Sequence, residues 1–194
     1  MPKNSSNNKN IVMATALGLF TERGYDNVSV KDICEAANIP RSSFYLLFAD
    51  KADIMTHLLQ SVKQNFYQEM PEFIRAENDF ERIWFLTNSY VKYAELFGLE
   101  IIKQYFIMEI KGITQFFRII EDFSDWLIQL LTNCQHQGII RNMTDPLILL
   151  PMQYNLCKAQ LLDWVCKNGS FPLQATMRST LENFLDVAPE YRQS

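Results

Sequence analysis

Glycine and proline are scarce in this chain, which has only 6 and 7 of them among 194 residues. These residues mark the turns of hairpins and loops, so their low number argues against a β-sandwich or barrel. No apolar run approaches the roughly 20 residues that a membrane-spanning helix needs. Hydrophobic residues make up 48% and charged residues 21%, which argues against a disordered chain. The composition and the long apolar periodicities therefore favour an all-α globular protein.

Residues that would form a metal or catalytic site are equally sparse. The four cysteines show neither a CxxC motif nor metal-like spacing, which favours buried free thiols in a reducing cytoplasm over disulfides. Neither His57 nor His136 has a paired ligand at position i+4. No Ser/His/Asp set, glycine-rich phosphate loop or HExxH motif is present. The sequence thus predicts no enzyme, no metal and no cofactor.

The charge is distributed unevenly along the chain. The whole chain carries −4, but residues 1–51 carry +1 and the remainder carries −5. Any affinity for phosphates is therefore expected at the N-terminal end, from a few placed cations. Residues 1–10 are polar and have no apolar core behind them, so we expect no signal peptide and a cytoplasmic location.

A helix-start signal lies near residue 29. Ser29 can be the N-cap, Asp32 can accept a bond from the N-cap amide, and Val28 can pack on Ile33 as a hydrophobic staple. The helix that begins there is predicted to run to Ala37.

A three-residue turn then leads to a second short helix. Asn38 stands where a helix stop needs a residue that tolerates the left-handed conformation, and Ile39 and Pro40 complete the turn. The next helix is predicted over Arg41–Phe48. Two short helices joined in this way form a helix-turn-helix, residues 29–48, whose second helix can enter a major groove of DNA.

Nine helices are predicted in all, without strands or repeats. A left-handed cap at Gly24 ends the first helix, Asp50 caps the fourth, and Pro71 is expected to stop it. Asp145 caps the eighth, which Pro151 is expected to kink or delay. The predicted ranges are about 10–23, 29–37, 41–48, 51–70, 79–97, 99–110, 113–137, 145–167 and 172–187.

Further residues at fixed spacing accompany the helix-turn-helix. They are Gly24-Tyr25, Ser29-Val30-Lys31-Asp32-Ile33, Ala36-Ala37 and Ser43-Phe44-Tyr45, followed by Phe48 and Lys51. Over about residues 10–60 the chain resembles the TetR family of bacterial transcriptional regulators. A looser likeness to the effector domains of that family lies at Gly138-Ile139-Ile140-Arg141, Asp145-Pro146, Trp164 and Gly169-Ser170-Phe171.

The resemblance implies a homodimeric, ligand-responsive repressor or activator in two domains. Residues 10–53 would be the DNA-binding domain and 54–188 the ligand-binding and dimerisation domain, in which the last two helices pair with those of a second copy. Residues 1–9 are expected to be a disordered arm and residues 189–194 a tail. The expected partners are double-stranded operator DNA, a small-molecule effector and a second copy of the chain, with no membrane.

The resemblance also implies which residues contact DNA. In the family the third helix reads base edges, and the starts of helices 2 and 4 contact phosphates. By position, the implied DNA-binding residues are Ser29, Lys31, Arg41, Ser42, Ser43, Tyr45 and Lys51. Their chemistry agrees, since Arg41 can bind guanine or phosphate with two bonds and helix-opening amides favour anions. Two alternatives stay open, a half-buried Tyr45 without a DNA contact and a merely solvated Lys31.

The helix-turn-helix departs from the family pattern at three positions. Pro40 stands where many members have a serine that caps helix 3, so that cap is lost unless Pro40 is the first helical residue. Leu46 and Leu47 replace tyrosine or histidine, and one of them can touch a thymine methyl group or simply pack. An alternative function therefore stays open, a helical protein-interaction module that has lost its affinity for DNA.

The second part of the chain is rich in large apolar side chains. The predicted pocket residues are Phe66, Tyr105, Met108, Phe117, Trp126 and Tyr154. An aromatic cavity lined by such residues favours a hydrophobic or aromatic effector, whereas a packed aromatic core is the alternative. The predicted function is a sequence-specific DNA-binding regulator, a repressor that this effector releases from its operator.

Overall fold

Within the described residues, the regular structure consists of nine α-helices and one short 3-10 helix, with no strand. The computed structural model describes the backbone of residues 3–113 and 123–192, and the side chains of these residues except 3–7 and 62–66. The helices are α1 (Lys3–Arg23), α2 (Val30–Ala36), α3 (Arg41–Leu47), α4 (Lys51–Arg75), α5 (Asp79–Phe97), α6 (Leu99–Ile110), α7 (Ser124–His136), α8 (Pro146–Cys166), α9 (Leu173–Phe184) and the 3-10 helix Pro189–Tyr191. The predicted all-α fold is confirmed. None of these helices combines the length and the apolar character needed to cross a membrane.

Local start and stop signals set most of the helix boundaries. The N–H of Asp32 donates to Ser29 Oγ at 3.2 Å and the N–H of Ser29 donates to Asp32 Oδ2 at 2.7 Å, which completes the predicted capping box. Asn38, which follows the end of α2, has a φ of 51°, the left-handed conformation predicted for it. Asp145 accepts a bond from the N–H of Leu147 at 2.9 Å and caps α8.

The first helix begins earlier than predicted. α1 starts at Lys3 rather than near Asn10, so residues 3–9 are helical where a disordered arm is expected. No glycine or proline lies between Lys3 and Leu17, so nothing in this stretch breaks the helix. Lys9 also anchors the segment, because its Nζ lies 3.1 Å from His57 Nε2 on α4.

Pro71 does not stop α4, which continues to Arg75. A proline inside a helix removes one hydrogen bond and costs about 3 kcal/mol. Contacts from elsewhere in the chain hold the turn that follows. The Phe73 ring stacks on Trp126 with centroids 6.0 Å apart, and Arg82 donates to the carbonyl of Ala76 at 3.1 Å. These contacts favour the helical continuation past the proline.

Two later boundaries also differ from expectation. α8 begins at Pro146, so Pro151 lies inside the helix and does not delay its start. For the helix predicted over 113–137, α7 accounts for Ser124–His136, and residues 114–122 lie outside the described part of the chain.

The chain divides into two compact units that do not follow chain order. The first consists of Met1–Asn65 and Phe97–Thr114, so α6 belongs with α1 to α3 and the start of α4. Its buried side chains include Val12, Ala16, Phe20, Ile33, Phe44, Phe48, Ile54, Ile101, Tyr105 and Met108. The Tyr105 hydroxyl donates to the carbonyl of Met55 at 2.9 Å, and burial raises its pKa. This bond ties α6 to α4.

The second unit consists of Phe66–Leu96 and Gln115–Ser194, with α5 as its most buried helix. Its core side chains include Phe80, Ile83, Leu86, Val91, Leu127, Leu131, Leu149, Leu161, Met177 and Leu181. Arg178 on α9 is 5% exposed and pairs with Glu81 and Glu182, each at 2.5 Å. Its guanidinium also lies 5.2 Å from the Trp84 ring centroid. The Arg178 contacts therefore join α9 to α5.

Candidate nucleic-acid interface

Helix α3 has one buried and one exposed face. Phe44 and the following Phe48 are 0% and 2% exposed and belong to the core of the first unit. Tyr45 and Leu46, by contrast, are 59% and 86% exposed. The other exposed residues of α3 are Arg41 and Ser42, while Ser43 and Leu47 are half-buried. The exposed face therefore presents a cation, a hydroxyl, a phenol and an apolar side chain.

The turn between α2 and α3 aligns this face without a side-chain cap. Pro40 is the N-cap residue of α3, so the helix begins at Arg41 and the alternative with Pro40 as the first helical residue does not hold. The Pro40 carbonyl accepts bonds from the N–H groups of Ser43 at 3.0 Å and Phe44 at 3.2 Å. The N-cap has no side-chain hydrogen bond of the kind that a serine would supply. Instead, the fixed φ of Pro40, −68°, sets the direction in which the backbone enters α3.

Arg41 is the uncommitted cation of the helix-turn-helix. Across the described side chains, no hydrogen bond or ion pair holds its guanidinium, and the residue is exposed. Lys31 is exposed as well but lies 3.6 Å from Glu35, which partly compensates its charge. The Ser29 hydroxyl lies against Asp32, and these bonds lower the pKa of the Asp32 carboxyl. Of these three, Arg41 is the most available to a phosphate or a base.

Lys51 is held by the loop between α1 and α2. Its Nζ donates to the carbonyls of Tyr25 at 2.7 Å and Val28 at 3.0 Å, and it lies 4.2 Å from the centroid of the Tyr25 ring. Burial, followed by the charges of Asp50 and Asp26, raises the pKa of Tyr25 to about 12. The ring beneath the ammonium is therefore a neutral phenol. Sequence reasoning missed these hydrogen bonds of Lys51, because the acceptors are backbone carbonyls more than 20 residues away.

The predicted pocket residues are divided between the two units. Tyr105 and Met108 lie in the core of the first unit, at 0% and 1% exposure. Trp126 and Tyr154 lie in the second unit, where Trp126 is 49% exposed and the Tyr154 hydroxyl lies 3.4 Å from Ser124 Oγ. The Phe66 side chain and the whole of Phe117 fall outside the described residues.

Trp126 belongs to an aromatic cluster of the second unit. Its rings form a series of neighbouring pairs in the order Tyr67, Phe123, Trp126, Phe73 and Phe85. Sequence reasoning missed Phe73, because it ended the fourth helix before Pro71. The cluster has open edges, since Tyr67 and Trp126 are both about half exposed.

A stripe of exposed residues runs along α8. Its members follow one another at intervals of three or four residues and are Ile148, Met152, Asn155, Ala159, Leu162 and Cys166. Ile148, Met152 and Leu162 are 57%, 48% and 44% exposed. The exposed residues of α9 are small or polar and include Ala175, Ser179 and Asn183. An apolar stripe of this spacing can pack against a second helix.

The N-terminal segment matches a known family of regulators. Residues 12–58 match the family described as bacterial regulatory proteins, tetR family. An uncharacterized HTH-type transcriptional regulator of Bacillus subtilis (strain 168), YvdT, is 30% identical over 80 residues, which are 41% of this chain and 41% of that relative. The matched segment thus spans about two fifths of the curated relative.

Solved structures show the same fold over almost the whole chain. The fatty acid degradation regulator FadR of Bacillus halodurans superposes with a TM-score of 0.71 at 19% identity, over 100% of this chain and 98% of that chain. FadR of Bacillus subtilis, solved in complex with stearoyl-CoA, gives a TM-score of 0.69 at 18% identity, over 90% and 96%.

The division of α3 into two faces can be tested with a matched pair of truncations. We expect Phe44→Ala to lower the free energy of unfolding by about 3–5 kcal/mol, because it leaves a cavity in the core. Leu46→Ala removes an exposed side chain and should change it by less than about 0.5 kcal/mol. Urea denaturation followed by circular dichroism measures both. Equal losses from the two variants would contradict the orientation of the helix.

Proposed function

We propose that this chain, a member of the TetR family of bacterial regulatory proteins, is a transcriptional repressor that a small hydrophobic or aromatic ligand releases from its operator. The observation that carries the proposal is the exposed face of α3, where Arg41 has no partner in the described part of the chain. The first unit would read DNA, and the second would hold the ligand and the dimer contact.

The exposed face of α3 has the chemistry to read a major groove. Arg41 can donate two bonds to guanine or clamp a phosphate, and Ser42 and Tyr45 can donate to base edges or phosphates. Leu46, the more exposed of the two leucines, suits the methyl group of thymine. Ser43 is half-buried and would reach only the DNA backbone.

Phosphate contacts would position the helix in the groove. Ser29 and Lys31 lie at the start of α2, where helix-opening amides attract anions. Lys51 uses two of its three N–H groups on the Tyr25 and Val28 carbonyls, which leaves one for a phosphate. In this proposal Lys51 both closes the loop before α2 and touches the DNA backbone.

DNA reading can be tested on the duplex upstream of the gene for this protein. Arg41→Ala should weaken specific binding by about 1–3 kcal/mol, whereas Arg141→Ala, which removes an exposed arginine from the second unit, should leave it unchanged. Fluorescence anisotropy at several salt concentrations measures both, and the affinity should fall steeply with added salt. Absence of salt-dependent binding would favour the alternative, a protein-interaction module that docks through Leu46.

The stripe on α8 supports a homodimer. A symmetric pair would bury Ile148, Met152 and Leu162 against their copies, and the small side chains of α9 would allow close approach. To read two successive major grooves, the dimer would have to hold its two α3 helices about one turn of DNA apart, roughly 34–36 Å.

Charged substitutions distinguish the proposed dimer face from other exposed apolar positions. Ile148→Asp should convert the dimer to a monomer, because symmetry buries the carboxylate twice. Ile74→Asp replaces an exposed isoleucine of α4 outside the stripe and should leave the dimer intact. Sedimentation velocity at micromolar concentration measures the mass. A dimeric Ile148→Asp variant would refute this assignment of the interface.

The aromatic cluster of the second unit supports an apolar effector. Trp126 and Phe73 offer stacked, partly open rings, and Tyr154 adds a hydroxyl nearby in the same unit. The stearoyl-CoA in the similarly folded Bacillus subtilis FadR makes long-chain acyl-CoA esters one class to examine. Tyr105 and Met108 would not contact the effector, because they are buried in the core of the first unit.

Helix α4 offers a route from ligand to DNA. It supplies residues 51–65 to the first unit and 66–75 to the second, with Phe73 near one end and Lys51 at the other. A ligand that displaces Phe73 would shift α4 and, through Lys51, the loop before α2. A hundredfold preference for the released state provides about 2.7 kcal/mol, enough to lower operator occupancy strongly.

A ligand panel tests the effector class. Acyl-CoA esters, steroids and simple aromatic compounds are added to the full chain, with free coenzyme A as the control. An effector should raise the melting temperature and weaken operator binding at least tenfold, and Trp126→Ala should diminish both effects. Unchanged melting temperature and operator affinity with every compound would rule out a hydrophobic effector.

A further inference from the structure

The second unit contains an open cleft of about 1010 Å³ along one face of α5. We name it the Asn88 cleft, after the polar residue that lines it beside Trp84 and Phe85. The end of α4 and the 3-10 helix Pro189–Tyr191 form other parts of its wall. The volume is at the upper end of the range in which proteins hold small molecules, roughly 300–1,000 Å³.

Asn88 is an enclosed polar side chain whose oxygen has no partner among the described residues. The residue is 7% exposed, and its Oδ1 is sealed from solvent and accepts no hydrogen bond there. Such a group destabilises a fold, and buried polar groups are nearly always bonded. A half-turn of the carboxamide brings either its oxygen or its nitrogen to the cleft. With the oxygen turned toward the cleft, an N–H group of a ligand could donate a hydrogen bond to it.

The free charges of the cleft are mainly negative. Glu81 is paired with Arg178, Lys92 lies 3.5 Å from Glu69, and Arg192 lies 3.6 Å from Asp186. The charged lining residues that form no ion pair within the described part of the chain are Glu72, Glu77, Glu190 and Arg75. Three free carboxylates against one free guanidinium attract a cation.

From these observations we infer that the Asn88 cleft is a ligand site for a small organic cation, such as a protonated amine with an apolar body. The amine N–H groups would bond to the Asn88 oxygen and to the carboxylates, and the apolar body would lie against Trp84 and Phe85. The cleft shares Phe85 with the aromatic cluster, but its binding of a cation is measured without DNA and does not require the proposed regulatory function. Phe85 also packs on Phe73, so the site adjoins the aromatic cluster.

The test compares probes of equal size and different charge on the full chain. Calorimetric titrations use phenethylammonium, neutral 2-phenylethanol and anionic 3-phenylpropionate, with tyramine and agmatine as further cations. We expect at least one cation to bind about tenfold more tightly than the neutral and anionic probes. If no cation binds more tightly than these probes, the inference is overturned.

Variants then locate the binding. Asn88→Leu should weaken the preferred cation about tenfold, a typical loss for one hydrogen bond, while the melting temperature stays equal or rises. Glu77→Gln should weaken it severalfold, and Glu95→Gln, an exposed α5 position outside the cleft, should not. Wild-type affinity in both Asn88→Leu and Glu77→Gln would refute the site. Glu77→Gln alone decides if Asn88→Leu does not fold. Operator affinity is measured in a separate experiment. A failure to bind DNA would therefore not affect the interpretation of the cation titrations.

Discussion

The burial of two phenylalanines in the first unit determines what α3 can present to a partner. A seven-residue helix is too short to be stable alone, so contacts with the rest of the unit must hold it. Phe44 and Phe48 lie one helical turn apart and are both enclosed. Their burial turns Arg41, Tyr45 and Leu46 outward. The proposed reading of DNA therefore depends on apolar packing, although polar side chains would make most of the contacts.

Helix α4 gives this arrangement its connection to the second unit. It has 25 residues, of which 51–65 belong to the first unit and 66–75 to the second. Lys51 at one end holds two carbonyls of the loop before α2, and Phe73 near the other end packs in the aromatic cluster. A displacement at Phe73 would be passed on by a continuous helix rather than by a loop. This continuity is the physical basis of the proposed switch.

Buried polar groups of the second unit fall into two kinds. Arg178 is enclosed but paired with two carboxylates and stacked on aromatic rings, which is the arrangement expected of a group that holds helices together. Asn88 is enclosed, and its Oδ1 has no hydrogen-bond partner within the described chain. Arg178, whose charge is compensated, therefore has a structural role, whereas the unpartnered oxygen of Asn88 is a candidate ligand contact.

Sequence alone determined the helices that begin and end with local signals. Ser29 with Asp32, Asn38 and Asp145 act on backbone groups within five residues, so their effect can be read from spacing. The DNA-contacting positions of α3 were predicted from a resemblance, whereas the greater exposure of Leu46 than of Leu47 is a result of tertiary packing. Tertiary structure decided the continuation of α4 past Pro71, the place of Tyr105 in the first unit, and the hydrogen bonds of Lys51 to the loop before α2. Each of these features depends on contacts between residues that are distant in the chain. A local sequence pattern cannot predict such contacts.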